Sequence, residues 1–203
     1  MTDHAMNQIA RALSALLLTA LPIACSSPPA ASDRPPLEGA RIGAPFRLTD
    51  QDGKPRTDQD FAGRYRIMYF GYTFCPDVCP TDMQTIGAGL RLFEAKDATR
   101  AAKVVPVFVT VDPKRDTPAV LKVFVTAFHP RMVGLTGDPA AVLALAKAYG
   151  VAVQADKPNA QGGYLVAHGR FAFLMDPAGK PVALLPQDQT PQAVASELER
   201  WVK

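Results

Sequence analysis

Cysteine and histidine are scarce in this sequence. Its 203 residues include three cysteines and three histidines. Two of the cysteines, Cys75 and Cys79, stand four positions apart in the stretch GYTFCPDVCP. The pair is open to three uses: a disulfide that braces the fold, a redox couple, or two thiolate ligands for a metal.

Clusters of one charge and internal repeats are lacking as well. The formal net charge is +3, and the lysines and arginines are scattered along the chain. Proteins that bind nucleic acid usually carry a basic stripe or an arginine-rich helix. The sequence therefore predicts no nucleic-acid partner.

The apolar run at residues 12–24 is shorter than the roughly 20 residues that a membrane-spanning helix needs. It follows Arg11 and ends at Cys25, as the hydrophobic region of a bacterial lipoprotein signal peptide does. We predict a signal peptide of the lipoprotein type at residues 1–24, with Cys25 as the lipidated first mature residue. Pro22 stands where such signals prefer leucine, so secretion of a soluble periplasmic protein is the alternative.

The chain after the signal divides into a tether and one domain. Residues 25–38 are rich in Pro, Ser and Ala and predict a flexible tether. Residues 39–203 have the length of a single domain, and 48% of the whole chain is hydrophobic, enough for a core. We expect a monomer on the periplasmic side of the bacterial inner membrane, where cysteine pairs survive as disulfides.

Strand and helix patterns alternate along this domain. Strands are predicted around a hairpin with its turn at Asp52-Gly53 and, further on, at residues 66–72, 104–111, 171–176 and 182–185. Helices are predicted to open at Pro80 and at three capping dipeptides, residues 117–118, 138–139 and 190–191. This order predicts an α/β, thioredoxin-like fold with a mixed central sheet flanked by helices.

The cysteine pair falls between the strand at residues 66–72 and the helix that follows it. Both cysteines precede a proline, which disfavours helical geometry at the residue before it. We therefore expect a bent loop and a helix that begins at Pro80. Cys79 would then lie near the helix N-terminus, where the helix dipole favours its thiolate.

Spacing does not by itself decide what the pair does. Three residues separate the cysteines, whereas thioredoxin-type redox motifs have two. A structural bridge closing so small a loop would stabilise the fold only modestly.

The histidines offer few candidates for a third metal ligand. His4 leaves with the signal peptide, and His129 ends a predicted helix, where an imidazolium would act as a cap. His168, taken alone, is typical of an ordinary polar surface residue. Two thiolates and one imidazole would nevertheless form a soft ligand set suited to copper.

Three stretches resemble the motifs of the Sco/SenC family, and in the same order. They are GYTFCPDVCP at residues 71–80, VTVDPKRDTP at residues 109–118, and YLVAH at residues 164–168 followed by LMD at residues 174–176. The resemblance covers nearly all of residues 45–201. It implies a membrane-tethered thioredoxin-like domain that binds copper.

The same resemblance implies a ligand set and a role. One copper ion, Cu(I) or Cu(II), would be bound per domain by Cys75, Cys79 and His168. The protein would be a metallochaperone rather than an enzyme, assisting assembly of the copper A centre of cytochrome c oxidase. Its partner would be the apo copper A subunit or another periplasmic copper protein.

Other residues of these motifs are given supporting roles. Many family members have an aspartate before the histidine, where this chain has Ala167, and this position bears on the orientation of the imidazole. Asp112 ends a predicted strand, and Asp116 and Thr117 are predicted to cap the following helix. We expect this motif to brace its loop rather than to take a direct part in chemistry. Tyr72 and Phe74 are predicted to wall the site and keep water from the metal.

Two other functions use the same fold. A thiol–disulfide oxidoreductase that reduces target cysteines would need only Cys75 and Cys79. A peroxiredoxin-like peroxidase would need a single peroxidatic cysteine beside an arginine, and the second cysteine argues against it.

Overall fold

The computed structural model describes residues 33–203. The predicted signal peptide, Cys25 and most of the predicted tether lie outside the described residues. Within the described part, the strands are β1 Arg47–Asp50, β2 Pro55–Thr57, β3 Tyr65–Gly71, β4 Val104–Thr110, β5 Val133–Thr136, β6 Val153–Ala155, β7 Val166–His168, β8 Ala172–Met175 and β9 Pro181–Leu185. The helices are α1 Val78–Lys96, α2 Ala98–Ala101, α3 Pro118–Phe128, α4 Pro139–Ala148 and α5 Pro191–Trp201.

Seven of the strands form one mixed sheet in the order β2-β1-β5-β4-β3-β8-β9. β3, β4 and β5 are parallel to one another, whereas β1, β2, β8 and β9 join antiparallel to their neighbours. β3 and β4 are buried along their whole length, as expected for central strands covered on both faces. This architecture confirms the predicted α/β fold with a mixed central sheet flanked by helices.

Successive residues of β3 point to opposite faces of the sheet and enter different cores. Ile67 and Tyr69 pack with apolar residues of α1, α3 and α5. Met68 and Phe70 pack with residues of α4 and with Val166 of β7. The second face is thus the one that receives the small sheet formed by β6 and β7.

The helix starts follow the capping residues in the sequence. Thr117, Asp138 and Thr190 each accept a hydrogen bond from a backbone N–H of the helix that follows, and a proline occupies the first turn each time. Gly150, just beyond α4, has φ +69°, which glycine adopts without strain. The predicted starts of these three helices are confirmed.

The structure adds elements that the sequence pattern did not predict. β5 completes the parallel part of the sheet, and β6 pairs antiparallel with β7 in a separate two-stranded sheet. These strands have three or four residues each, too few for an alternating pattern to be visible. β7 matters most, because it ends at His168.

The segment before β1 is tied to the domain by its backbone. The Leu37 N–H donates to the Val182 carbonyl at 3.0 Å, and the Gly43 N–H donates to the Ala148 carbonyl at 2.9 Å. Across residues 33–203, none of the helices has both the length and the apolar character needed to cross a membrane.

Candidate metal centre

The cysteine loop begins where β3 reaches the carboxyl edge of the sheet. β3 ends at Gly71, and a Cβ at that position would lie 2.9 Å from the rings of Tyr69 and Phe108 and 3.1 Å from Cys79 Sγ. A side chain would therefore collide with its surroundings. Glycine at this position allows the Cys79 thiol to pack directly against the end of the strand.

Helix α1 starts two residues earlier than predicted. It begins at Val78, after Asp77, so Cys79 is its second residue and Pro80 its third. A proline is tolerated there because the first N–H groups of a helix have no partner within the helix. The expected start at Pro80 was wrong for this reason.

The two thiols are free and lie in contrasting surroundings. Cys79 is fully buried, and Cys75 is half-buried. Burial raises the pKa of the Cys79 thiol well above its usual value, and the neighbouring Cys75 raises it further. The prediction that the helix dipole favours a Cys79 thiolate was wrong, because desolvation outweighs the dipole at this position.

The thiolate is favoured instead at Cys75. Burial acts to raise the pKa of this thiol, but hydrogen bonds from the backbone N–H groups of residues 77–79 and from the Cys79 thiol lower it below its usual value. The start of α1 thus turns its free N–H groups toward Cys75 rather than toward Cys79. Cys75 is the more nucleophilic of the two thiols.

His168 reaches the cysteine loop from β7. Its Nε2 atom lies 3.4 Å from Cys79 Sγ, and its Nδ1 atom lies 3.1 Å from the Gly169 carbonyl oxygen. A carbonyl can only accept, so Nδ1 carries the proton and the lone pair of Nε2 faces the thiol. Burial lowers the pKa of His168, which keeps the ring neutral, as a metal ligand must be.

The Gly169 carbonyl orients the His168 ring in this chain, which has Ala167 where many family members have an aspartate. The side chain at position 167 is exposed, while His168 points inward from the same short strand. The backbone carbonyl of Gly169, not the side chain at position 167, accepts the hydrogen bond that orients the ring. A backbone acceptor of this kind is a common outer partner of a metal-ligating histidine.

The spacing of the donor atoms fits a small metal ion. Bonds of about 2.0 Å to nitrogen and 2.3 Å to sulfur, meeting near the tetrahedral angle, place the two atoms about 3.5 Å apart. The Cys79–His168 separation of 3.4 Å matches this value. No cluster of three His, Cys, Asp or Glu side chains is already in place for a metal within residues 33–203, so the half-exposed Cys75 has to adjust to join the other two.

A cavity of about 400 Å³ lies against two of the donor residues, Cys75 and His168. The Tyr72 ring forms a wall, edge-on to the His168 ring with 6.0 Å between the ring centres. Phe74 is 52% exposed and does not shield the site, contrary to the prediction for this residue. The site is thus enclosed by Tyr72 and open on the side of Cys75.

Two aspartates of the second motif brace the loops around the site. Asp116 is fully buried and accepts hydrogen bonds from the Thr73 N–H at 2.9 Å, the Thr73 hydroxyl at 2.6 Å and the Thr110 hydroxyl at 2.6 Å. Asp112 accepts from Arg115 and, at 2.8 Å, from the Tyr164 hydroxyl. Both have the bracing role that the sequence indicated. The prediction that Asp116 also caps α3 was wrong, because Thr73 and Thr110 occupy its oxygens and Thr117 is the capping residue.

A buried charge network beneath the site was missed by the sequence analysis. Asp82 of α1 is fully buried and accepts hydrogen bonds at 2.7 Å from the Tyr69 hydroxyl and from Arg170 Nε. Arg170 follows His168 by two residues, so this pair ties α1 to the end of β7. A signal existed, since Asp82 lies next to Met83 on the buried face of the helix, where a carboxylate requires a partner.

His129 has a structural role separate from the candidate metal site. It is the residue at which α3 ends, as predicted, but its imidazole is buried, and burial lowers its pKa. Its Nδ1 accepts the Arg131 N–H at 3.2 Å, and its Nε2 lies 3.4 Å from a Glu94 carboxylate oxygen. The ring is therefore held neutral inside the fold and does not act as the cationic helix cap that was expected.

Known proteins of one family match this chain along nearly all of the residues that the structure describes. The sequence profile of the SCO1/SenC family matches residues 34–203. Protein SenC of Rhodobacter capsulatus is 39% identical over 159 residues, covering 78% of this chain and 70% of SenC. Mitochondrial protein SCO2 of Saccharomyces cerevisiae is 36% identical over 165 residues, covering 80% of this chain and 53% of SCO2, so the chain spans about half the length of that relative.

A solved structure agrees with the same assignment. ScoI of Bradyrhizobium japonicum, determined with copper bound, superposes with a TM-score of 0.71 at 40% sequence identity. The match covers 79% of this chain and 99% of the ScoI chain.

Proposed function

The chain belongs to the SCO1/SenC family, and we propose that it is a copper-binding metallochaperone that assists assembly of the copper A centre of cytochrome c oxidase. The observation that carries the proposal is the meeting of Cys79 and His168 at 3.4 Å beside a second thiol, Cys75. Two sulfurs and one imidazole nitrogen form a soft set suited to copper. The copper-bound structure of the related ScoI supports this choice of metal.

Cys75, Cys79 and His168 would hold one copper ion per domain, as Cu(I) or Cu(II). The three donors differ in their surroundings, because Cys79 lies in α1 and His168 in β7, while the half-buried Cys75 lies in the loop before α1. Three ligands leave a side of the ion free for a thiolate of the acceptor. We infer that the copper is cargo, handed by ligand exchange to the apo copper A subunit or to another periplasmic copper protein.

The test separates this function from the main alternative. His168→Ala should weaken copper binding at least about tenfold, roughly 1.4 kcal/mol, with Cu(II) affected most because it relies on the nitrogen ligand. The midpoint potential of the Cys75–Cys79 couple should change little, since the histidine is not needed for disulfide exchange. Competition with a copper chelator and thiol redox titration measure the two quantities.

Two further variants serve as controls. Cys75→Ser and Cys79→Ser should each damage both copper binding and the redox couple. Oxidation of the wild-type pair to a disulfide should abolish copper binding, because the thiolate ligands are lost. If His168→Ala kept wild-type Cu(II) affinity and spectrum, the three-ligand site would be rejected and a thiol–disulfide oxidoreductase acting through Cys75 would replace it.

A membrane tether is part of the proposal and rests on the sequence alone. We infer that Cys25 is lipidated and that the domain stands on the periplasmic side of the bacterial inner membrane, as a monomer on its tether. Cys25→Ala should release the protein from membranes or block its maturation. Wild-type protein found wholly in the soluble periplasmic fraction would leave plain secretion as the explanation.

A further inference from the structure

A buried arginine, Arg66, lies at the opposite end of β3 from the cysteine loop. Arg66 is the second residue of this strand, and Gly71, where the cysteine loop begins, is the last. The two positions are five steps apart along the extended strand, about 17 Å. Arg66 sits in the middle of the sheet, between Val105 of β4 and Met175 of β8, and is only 6% exposed.

The guanidinium of Arg66 has no partner within residues 33–203. No carboxylate oxygen of these residues lies within 4 Å of its nitrogens, and its buried Nε donates no hydrogen bond. A buried charge without a counter-ion costs several kcal/mol. Arg170, by contrast, is half-buried and paired with Asp82.

Arg66 lines a cavity of about 260 Å³. Gly43 and Gly179 form parts of its walls, and a Cβ at position 179 would overlap the Arg66 guanidinium. Gly179 also has φ +81°, a conformation that other residues rarely adopt. The backbone therefore approaches the guanidinium closely and leaves the remaining space open to a small molecule.

The unsatisfied polar groups of the cavity are donors. Besides Arg66, the cavity is lined by Tyr149, whose hydroxyl makes no hydrogen bond to the described residues. Asp58 also lines it, but its two oxygens already accept hydrogen bonds from the Phe46 N–H at 3.3 Å and from Gln59 at 3.0 Å. A ligand that completes the cavity has to supply acceptors.

The charges of the cavity fix the class of that ligand. One guanidinium and one nearby carboxylate leave the cavity without net charge, so a doubly charged anion would be repelled by Asp58 while a singly charged one is tolerated. Arginine binds a planar carboxylate through two parallel hydrogen bonds. We propose that the cavity is a binding site for a small monovalent carboxylate, held by Arg66 and Tyr149.

This site is independent of the copper function. Its wall includes Gly43 in the segment that joins the tether to β1, so a bound carboxylate would also hold that segment against the sheet. Its occupancy is expected to leave the cysteine loop unchanged.

Formate is the probe, titrated into the full-length protein by calorimetry at constant ionic strength kept with sodium chloride. Wild-type protein should show saturable binding of formate and a rise in melting temperature that follows the same curve, because the ligand binds only the folded state. Arg66→Met, which keeps most of the side-chain volume without the charge, should weaken formate binding at least about tenfold. Asp58→Asn should tighten it several-fold, since the opposing charge is removed while its hydrogen bond from Phe46 is kept.

The Asp58→Asn variant keeps the test decisive if Arg66→Met fails to fold. Formate affinity unchanged in Asp58→Asn would overturn the proposal, because the cavity would then not be where the anion binds. Absence of saturable formate binding to the wild type would overturn it as well. Copper binding should be the same with and without formate, which separates this result from the test of the metal centre.

Discussion

Asp82 and Asp116 are both fully buried beneath the metal centre, yet they are held in different ways. Asp82 faces a cation, Arg170, and a tyrosine hydroxyl. Asp116 faces two threonine hydroxyls and one backbone N–H, with no cation. The first fixes the strand that carries His168, and the second fixes Thr73 at the start of the cysteine loop.

The negative charge of Asp82 stabilises the fold, whereas that of Asp116 does not. At Asp82 the negative charge compensates an arginine, so removing either partner leaves a buried ion or a poorly solvated one. At Asp116 the carboxylate serves as a hydrogen-bond acceptor, and its charge is a cost of burial. The two halves of the metal centre should therefore respond differently to mutation.

The largest effect is expected when the Asp82 side loses its cation. Arg170→Met leaves the Asp82 carboxylate buried, with only Tyr69 as a partner. Breaking a buried ion pair by removing one partner costs about 3–5 kcal/mol, and the 38% exposure of the Arg170 side chain reduces this to about 2–4 kcal/mol. Urea unfolding of the reduced protein measures the loss.

The double variant Arg170→Met with Asp82→Asn is the matched control. It removes the stranded charge, so part of the lost stability should return, and a double-mutant cycle gives the coupling of the pair. A single Arg170→Met variant as stable as the wild type would mean that the Asp82 carboxylate does not depend on its cation and that the two aspartates do not differ in this respect.

An effect of intermediate size is expected in the reactivity of the two thiols. Cys79 lies beside His168, on the side held by Asp82, and Cys75 lies in the loop whose start is held by Asp116. Cys79 is fully buried next to His168, whereas Cys75 is half-buried, and its pKa is lowered by the N–H groups at the start of α1. Alkylation requires an accessible thiolate, so iodoacetamide should modify Cys75 at least about tenfold faster than Cys79. Mass spectrometry of the digested protein resolves the two sites.

Protein unfolded in urea supplies the control for the thiols. Without the fold, the two cysteines should react at nearly equal rates. Faster modification of Cys79 in the folded protein would restore the sequence-based expectation that the helix dipole makes Cys79 the reactive thiol.

The sequence predicted the elements of the fold better than the contacts of the site. Central strands and helices follow from apolar periodicity and capping residues, which act locally. His168 was identified by family resemblance, because residue type alone gave it no distinction. Burial of Cys79 was not visible in the sequence, so the effect of the helix dipole on the pKa of this thiol was overestimated.

Long-range pairing was the other gap. Asp82 and Arg170 are 88 residues apart, and nothing local relates them. The short strand β7, which brings Arg170 close, follows a polar loop and has three residues. Asp116 was placed correctly as a loop brace because its motif puts it just after a strand end, where Thr110 is a local partner. Its other partner, Thr73, is 43 residues away and was not predicted.

The smallest effect is expected for Asp116→Asn. An asparagine can accept the Thr73 N–H and the Thr110 hydroxyl with its oxygen and donate to the Thr73 hydroxyl with its nitrogen, so all three contacts are kept and the partly exposed Thr73 hydroxyl can turn its proton to water. The change in unfolding free energy should stay within about 1 kcal/mol, and copper binding should be unaffected.

The Asp116→Asn variant should nevertheless differ from the wild type in how stability depends on pH. Burial raises the pKa of Asp116, so the wild type gains stability from the protonated carboxyl below the unfolded-state value of about 3.9 and loses it as the pH rises through the folded-state value. Asn cannot ionise, so the stability of the variant relative to the wild type should increase with pH across that window and stay constant above it. The other acidic groups are common to both proteins and cancel in the difference. A difference that does not change with pH would show that the charge of Asp116 is compensated after all, as that of Asp82 is.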